Sequence, residues 1–101
     1  MSALTAERLM RSRYSAFVVL DGPYLLRSWH RSTRPVTMPL DPRVQWLSLQ
    51  ILGRTGGTVL LDEGTVEFVA RYRSPSGTSG EQHENSSFVR DSGNWFYLGV
   101  V

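Results

Sequence analysis

The fold is decided by a stretch of alternating residues in the second half of the chain. Residues 66–73 read Val66-Glu67-Phe68-Val69-Ala70-Arg71-Tyr72-Arg73. Because successive side chains of a β-strand point to opposite faces, Val66, Phe68 and Ala70 share one apolar face, while Glu67 and Arg71 share the other. This pattern predicts a long strand of an antiparallel sheet that is buried on one face and solvated on the other.

A second long strand is predicted before this one. Leu47, Leu49 and Ile51 recur at every second position from Val44 onward, which is the period of a strand with one buried face. Between the two strands, residues 58–61 form a short apolar piece bracketed by glycine-rich turns. That piece fits either a short strand or a loop on the surface, and the sequence leaves the two alternatives open.

The last third of the chain predicts two hairpins. Residues 74–80 consist of Ser, Pro, Gly and Thr, which predicts an exposed and mobile hairpin loop. Residues 82–90 and 95–101 are predicted as two further strands, because the turn-forming residues 91–94 separate them. The sheet is therefore expected to be an antiparallel meander.

Two helices are predicted to precede the sheet. Thr5 can cap the first helix, and Glu7 places a negative charge near the positive end of the helix dipole. The apolar stripe predicts a helix from Thr5 to Val19, and a short second helix from Pro23 to His30 follows a break at Asp21. The proline-containing residues 32–42 are predicted to be an irregular linker within the domain.

Length and composition place these elements in one α+β domain that spans residues 1–101. The chain is 41% hydrophobic and 20% charged, which excludes a wholly disordered protein. A small domain with an internal cavity buries little surface of its own, so we expect self-association. The predicted core contains Leu9, Phe17, Trp29, Leu47, Leu49, Phe68 and Phe88.

Several classes of partner and cofactor are excluded or disfavoured by composition. The chain has no cysteine and two histidines, so we expect no disulfide, no metal site and no cofactor. The net charge is only +2, and Arg8, Arg11 and Arg13 point in different directions on a helix, so no nucleic acid partner is expected. No apolar run approaches the ~18 residues of a membrane span, and no signal peptide is recognised. A cytoplasmic protein is expected.

Three stretches in the first third of the chain carry a family resemblance. They read Thr5-Ala6-Glu7-Arg8-Leu9-Met10-Arg11-Ser12-Arg13-Tyr14-Ser15-Ala16-Phe17, Tyr24-Leu25-Leu26-Arg27-Ser28-Trp29-His30 and Ser32-Thr33-Arg34-Pro35. With residues 46–49, 64–72 and 83–89 they resemble the YchJ-like bacterial family of SEC-C motif-containing proteins. The resemblance implies a nuclear transport factor 2-like cone, in which N-terminal helices pack on a curved antiparallel sheet.

The chain also departs from that family pattern. Family members usually carry cysteine-rich SEC-C motifs beside this domain, and this chain has no cysteine. The zinc binding that those motifs imply is therefore not transferred. Ser87 stands where the family commonly has an arginine after the serine, and Leu98-Gly99 stands where it commonly has Asp-Gly. The resemblance thus implies a fold and no particular reaction.

Glu84 is the main candidate for a polar group inside the cone. It shares strand parity with Ser86 and Phe88, so it is expected to face the interior if Phe88 does. A buried carboxylate requires a partner, and Arg13 or Arg71 is expected to form a structural ion pair with it. The alternative is that these polar groups contact a ligand.

His30 and Tyr14 are the other candidates for chemistry. His30 is predicted to cap the carboxyl end of the second helix, with a functional role as the alternative. Tyr14 lies beside the apolar stripe of the first helix. A Ser-His-Asp triad is not predicted, because no Gly-x-Ser-x-Gly motif or spacing selects a nucleophile.

These observations lead to two main hypotheses for function, with an arginine-dependent nucleic acid binder as a third, disfavoured one. The first is a small-molecule-binding or adaptor module, with a pocket for a small hydrophobic ligand and a homodimer formed through the open face of the sheet. The second is a small isomerase or hydrolase that acts on a hydrophobic metabolite with Glu84 as general acid or base, and whether the protein is an enzyme is left open. The expected ligand-binding residues are Tyr14, Arg13, Trp29, His30, Arg71 and Glu84.

Overall fold

Two helices precede four strands in the computed structural model, which describes residues 3–101. The elements are α1 (Ala6–Val18), α2 (Gly22–Arg27), β1 (Gln45–Gly56), β2 (Glu63–Arg73), β3 (Ser79–Asp91) and β4 (Asn94–Val100). The linker from residue 31 to residue 44 contains neither helix nor strand. The predicted order of helices and strands, and the α+β class, are confirmed.

The four strands form one antiparallel sheet in the order β1-β2-β3-β4. Residues 58–61, left open by the sequence, belong to the loop between β1 and β2. The turn between β3 and β4 has positive φ at both central residues, Ser92 (53°) and Gly93 (84°), as a tight hairpin of two strands requires. Both predicted hairpins are therefore confirmed.

Helix α1 packs across the inner face of the sheet. The Thr5 hydroxyl accepts a hydrogen bond from the Arg8 N–H (3.2 Å), which confirms the predicted cap. The Ala6 N–H donates to the Gly57 carbonyl (3.0 Å), so the start of the helix is tied to the end of β1. Gly57 has φ +70°, and a Cβ there would lie 2.8 Å from the Ala6 Cβ, so only glycine allows this approach.

The core lies between α1 and the inner face of β2, β3 and β4. Burial of these apolar side chains supplies the main stabilisation of the fold. Leu9, Phe68 and Phe88 are buried as predicted, and Phe17, Trp29 and Leu49 are half-buried. The buried cluster consists of Ala6, Leu9, Met10, Val66, Phe68, Ala70, Phe88 and Trp95.

Helix α2 is shorter than predicted. It ends at Arg27, with Ser28 as its C-cap, rather than at His30. The Tyr97 N–H donates to the Ser28 carbonyl (2.9 Å), and the His30 N–H donates to the Tyr97 carbonyl (2.8 Å). These two hydrogen bonds attach the backbone of residues 28–30 to the edge of β4. Inside a helix the backbone N–H and C=O groups bond to one another, so they cannot also pair with a strand.

The prediction that Leu47 is buried is wrong. A β-bulge between Trp46 and Ser48 makes Leu47 an extra residue in β1, and Leu47 is 44% exposed. Because of that extra residue, Trp46 and Leu49 both pack against the core although they are three positions apart. A strict period of two cannot anticipate such a shift.

Neither helix in the part of the chain that the structure describes is long and apolar enough to cross a membrane.

Because of the bulge, we expect alanine substitutions of two leucines in β1 to lower the free energy of unfolding by different amounts. Leu49→Ala should lower the free energy of unfolding by about 2 kcal/mol, because Leu49 packs against the core. Leu47→Ala should change it by less than ~0.5 kcal/mol, because Leu47 is largely exposed. Urea unfolding of both variants measures the difference, and equal losses would show that Leu47 is not the bulged residue.

Candidate functional site

A cavity of about 210 Å³ lies between α1 and the inner face of the sheet. It exists because small side chains, Ala70 on β2 and Ser86 on β3, face the helix where larger ones would fill the space. The linker contributes Met38 to its wall. Most of the lining is apolar and aromatic, and it includes Met10, Tyr14, Phe17, Trp29, Trp46 and Phe68.

Aromatic rings brace one side of the cavity. The ring of Trp46 lies edge-on to Tyr14 (6.3 Å between centroids) and to Tyr72 (5.5 Å), and Phe17 lies 6.0 Å away. Edge-to-face pairs at these distances contribute stabilisation beyond that of area burial alone. This wall is therefore held in place by α1 and two strands, rather than by a loop.

Arg13 is buried beside the cavity, with 4% of its surface exposed. Its Nη1 donates to the Leu25 carbonyl (2.7 Å) and to the Ser28 hydroxyl (2.6 Å). The guanidinium carbon also lies 4.5 Å from the ring centroid of Tyr97. Arg13 thus satisfies a carbonyl at the carboxyl end of α2, where a cation is favourable, and it joins both helices to β4.

Burial changes the pKa of two of these groups. Desolvation lowers the pKa of Arg13 to about 10, and electrostatic interactions with Tyr97, Tyr24 and Glu84 oppose that change. Arg13 therefore remains a cation at neutral pH. Burial, followed by the charge of Glu84, raises the pKa of the Tyr97 hydroxyl.

Glu84 lines the cavity, as its strand parity predicted. It is half-buried, it lies opposite Phe68 in the β2–β3 register, and its Oε2 accepts a hydrogen bond from the Ser86 hydroxyl (2.7 Å). Within residues 3–101 no arginine or histidine nitrogen lies within 4 Å of its carboxylate. The predicted structural ion pair of Glu84 with Arg13 or Arg71 is therefore wrong.

The two arginines miss Glu84 for different reasons. The hydrogen bonds of Arg13 turn its Nη1 toward the end of α2. Arg71 has the opposite parity to Phe68 and Ala70 in β2, so it lies on the outer face of the sheet. There its Nε donates to Glu81 (3.1 Å).

His30 lies outside the cavity, and the prediction that it caps α2 is wrong. Its Nε2 lies 2.9 Å from Asp91 Oδ2, and its Nδ1 lies 3.2 Å from the Ser32 N–H and 2.7 Å from the Ser32 hydroxyl. Because the backbone N–H can only donate, Nδ1 is the acceptor and Nε2 carries the proton. Ser32, His30 and Asp91 thus form a Ser-His-Asp line, which the sequence spacing did not select. None of the three lines the cavity, and together they tie the linker to the β3–β4 turn.

Four of the six predicted ligand-binding residues are brought together, and two are not. Tyr14, Arg13, Trp29 and Glu84 line the cavity, whereas His30 and Arg71 do not. Sequence reasoning did not single out Tyr97, because nothing in the spacing shows that β4 passes beside Arg13. Ser86 could have been found, because it shares the face of Glu84 two residues away.

Comparison with known proteins agrees with this fold. A family model described as "YchJ, middle NTF2-like domain" matches residues 5–99. A UPF0225 protein from Streptomyces coelicolor is 49% identical over 96 residues, covering 95% of this chain and 73% of that protein. A UPF0225 protein from Polaromonas naphthalenivorans is 47% identical over 93 residues, covering 92% of this chain and 66% of that protein. The chain therefore spans about two thirds to three quarters of these relatives.

A solved structure shows the same architecture. The solution structure of a SEC-C motif containing protein from Rhodopseudomonas palustris superposes with a TM-score of 0.85 at 30% identity. The match covers 100% of this chain and 80% of that chain.

The burial of Arg13 predicts a large loss of stability when it is removed. Arg13→Ala should lower the free energy of unfolding by about 3 kcal/mol, because it leaves the Leu25 carbonyl without its donor and opens space beside Tyr97. Arg11→Ala is the matched control two residues away. It removes an exposed bond to Glu7 and should cost less than ~0.5 kcal/mol. Urea unfolding compares the two, and a similar small loss for both would contradict the role of Arg13.

The contact between His30 and Asp91 predicts a pH dependence. The hydrogen bond from His30, followed by that from Ser92, holds the pKa of Asp91 below its ordinary value. A carboxyl group whose pKa is lowered by folding stabilises the protein above its unfolded pKa, and that stabilisation is lost as the pH falls through the folded pKa. Asp91→Asn should therefore be less stable than the parent at pH ~7, and the difference should shrink below pH ~4. Melting curves of both proteins at pH ~7 and below pH ~4 measure this difference in stability. A difference that stays constant would contradict the stabilising role of the Asp91 carboxylate.

Proposed function

The chain belongs to the YchJ family of middle domains with an NTF2-like fold, and from this premise we propose that it binds a small, mostly apolar ligand in the cavity between α1 and the sheet. The observation that carries the proposal is the cavity itself, which combines aromatic walls with a few polar side chains. That combination is typical of small-molecule sites, where apolar contacts give affinity and a few polar groups give orientation.

The size of the cavity limits the ligand. Its volume of about 210 Å³ is below the ~300–1,000 Å³ of sites for drug-sized molecules. It exceeds the ~150 Å³ of an apolar cavity that accepts benzene. We therefore expect a metabolite about the size of a substituted aromatic ring or a short branched chain.

A catalytic use of the cavity is the alternative function. An isomerase or hydrolase would have to use Glu84 and Tyr14, because both line the cavity. His30 does not belong to that site, since its ring nitrogens are engaged by Asp91 and Ser32. Binding needs none of these groups to transfer a proton, so binding is the simpler proposal.

Self-association and location stay predictions. The outer face of the sheet, through which we expect a homodimer, carries the cross-strand pairs Arg71–Glu81 and Glu67–His83. An adaptor role would use such a surface rather than the cavity. A cytoplasmic location and the lack of a nucleic acid partner are likewise expectations.

A side chain at the mouth of the cavity provides a test of the proposal. Gln82 lines the cavity and is exposed, so Gln82→Trp should obstruct it without disturbing the core. Asn85→Trp is the matched control, because Asn85 is exposed on the other face of the same strand. Ligand-observed NMR with a panel of aromatic and branched aliphatic fragments measures binding.

We expect fragments to bind the parent and Asn85→Trp proteins, and to bind Gln82→Trp at least about tenfold more weakly because the indole ring takes their place. The proposal fails if no fragment binds the parent protein. It also fails if Gln82→Trp binds the same fragments as tightly as the parent does.

A further inference from the structure

Arg13 is a buried cation, and in the part of the chain that the structure describes no carboxylate oxygen lies within 4 Å of its guanidinium. The negative charge of Glu84 acts on it only from a longer distance, without a direct ion pair. We propose that the ligand supplies a direct partner for this charge: it is a small aromatic or branched aliphatic carboxylic acid that also carries a hydrogen-bond donor, such as a hydroxy acid or an amino acid. This inference rests on the proposed function, since it names the chemical class of ligand for the same cavity.

The hydrogen bonds of Arg13 leave most of its donors free. A guanidinium has five N–H groups, and both bonds that Arg13 makes come from Nη1. Within residues 3–101, the only fully buried side-chain nitrogen or oxygen without a partner is Trp95 Nε1. The free Nε and Nη2 of Arg13 therefore reach accessible space. The accessible space beside Arg13 is the cavity that it lines.

The protein compensates the charge of Arg13 only in part. The Leu25 carbonyl and Ser28 hydroxyl are neutral acceptors, and the rings of Tyr97 and Trp29 lie 4.5 and 5.4 Å from the guanidinium carbon. Ring faces attract a cation more weakly than a carboxylate does. A carboxylate matches the fork of donors that an arginine presents, and a ligand carboxylate in the cavity would complete the pairing.

Glu84 restricts the ligand further. Its Oε2 accepts from the Ser86 hydroxyl, and no side chain of the described residues donates to its Oε1. A plain carboxylic acid would bring a second negative charge into the cavity beside Glu84, which is unfavourable. A hydroxyl or ammonium group on the same ligand could donate to Glu84 and offset that repulsion. A simple amine, by contrast, would leave Arg13 without its partner.

The side chains that line the cavity indicate the chemistry of the apolar part of the ligand. The aromatic side formed by Tyr14, Phe17 and Trp46 can pack against a flat ring or a branched chain. A dianionic phosphate or a sugar does not fit a cavity with one free cation, one carboxylate and mostly apolar lining.

A series of indole compounds tests the inference on the parent protein. Indolelactate carries a carboxylate and a hydroxyl, indolepropionate only the carboxylate, tryptophol only the hydroxyl, and skatole neither. Because a hydrogen-bonded charge pair in a poorly hydrated site is strong, we expect indolelactate to bind at least ~10-fold more tightly than skatole or tryptophol. Indolepropionate should bind more weakly than indolelactate.

Two variants test separately the proposed contacts of the ligand with Glu84 and with Arg13. Glu84→Gln keeps a side chain that can accept the bond from Ser86 and removes the negative charge, so it should narrow the gap between indolepropionate and indolelactate. Arg13→Lys should reduce the preference for the two acids over skatole, because lysine lacks the fork of donors. If Arg13→Lys does not fold, the parent protein and Glu84→Gln still decide the question.

The outcomes also separate this inference from the proposed function. If skatole or tryptophol binds as tightly as indolelactate, the cavity binds ligands and the acid inference is wrong. If tryptamine, an amine without a carboxylate, binds more tightly than indolelactate, the inference is also wrong. If neither these compounds nor the fragment panel binds, the proposed function fails together with it.

Discussion

The contacts of the Arg13 guanidinium are the interactions on which the rest of the structure depends. The guanidinium is carried by α1, it donates to the carboxyl end of α2, and it lies over the ring of Tyr97 on β4. A cation in a small core is costly unless hydrogen bonds and aromatic faces surround it, so these three elements must meet at one point. The short α2 has few other buried contacts, since Leu25 is its one buried residue within the described chain.

The cavity follows from this arrangement. Helix α1 is tied to the end of β1 by the bond from Ala6 to Gly57, and to α2 and β4 by Arg13. The helix is thus held at its first residue and near its middle, and the sheet that it crosses presents small side chains, Ala70 and Ser86, to the cavity. A core without such small residues would close around the helix, because protein interiors pack to nearly constant density. The space that remains is lined by the groups that we propose contact a ligand.

The candidate site was only partly predictable from the sequence. Strand parity gives the face of the sheet on which a side chain lies, but not the groups toward which that side chain points. Parity placed Glu84 inside and Arg71 on the solvated face of the sheet, since Arg71 alternates with Phe68 and Ala70. Because a buried carboxylate needs a partner, Arg13 or Arg71 was predicted to pair with Glu84, but neither arginine lies within 4 Å of its carboxylate. The direction of the Arg13 side chain is set by α2 and β4, which lie far from it in sequence. The prediction that His30 caps α2 was wrong for a similar reason. The backbone of residues 28–30 pairs with β4, so α2 ends before His30.

The sequence by itself determined the order of elements, the antiparallel meander, the cap at Thr5 and the face of β3 to which Glu84 belongs. Each of these depends on a local period, a turn residue or a cap, which are properties of neighbours in the chain. Only the tertiary structure decided that Leu47 leaves the core, that α2 ends at Arg27, and that Arg13 faces a ring and two oxygens instead of a carboxylate. The physical reason is that a bulge, a strand edge and a buried charge find their partners across the fold, where the cost of leaving buried polar groups unpaired outweighs local preference.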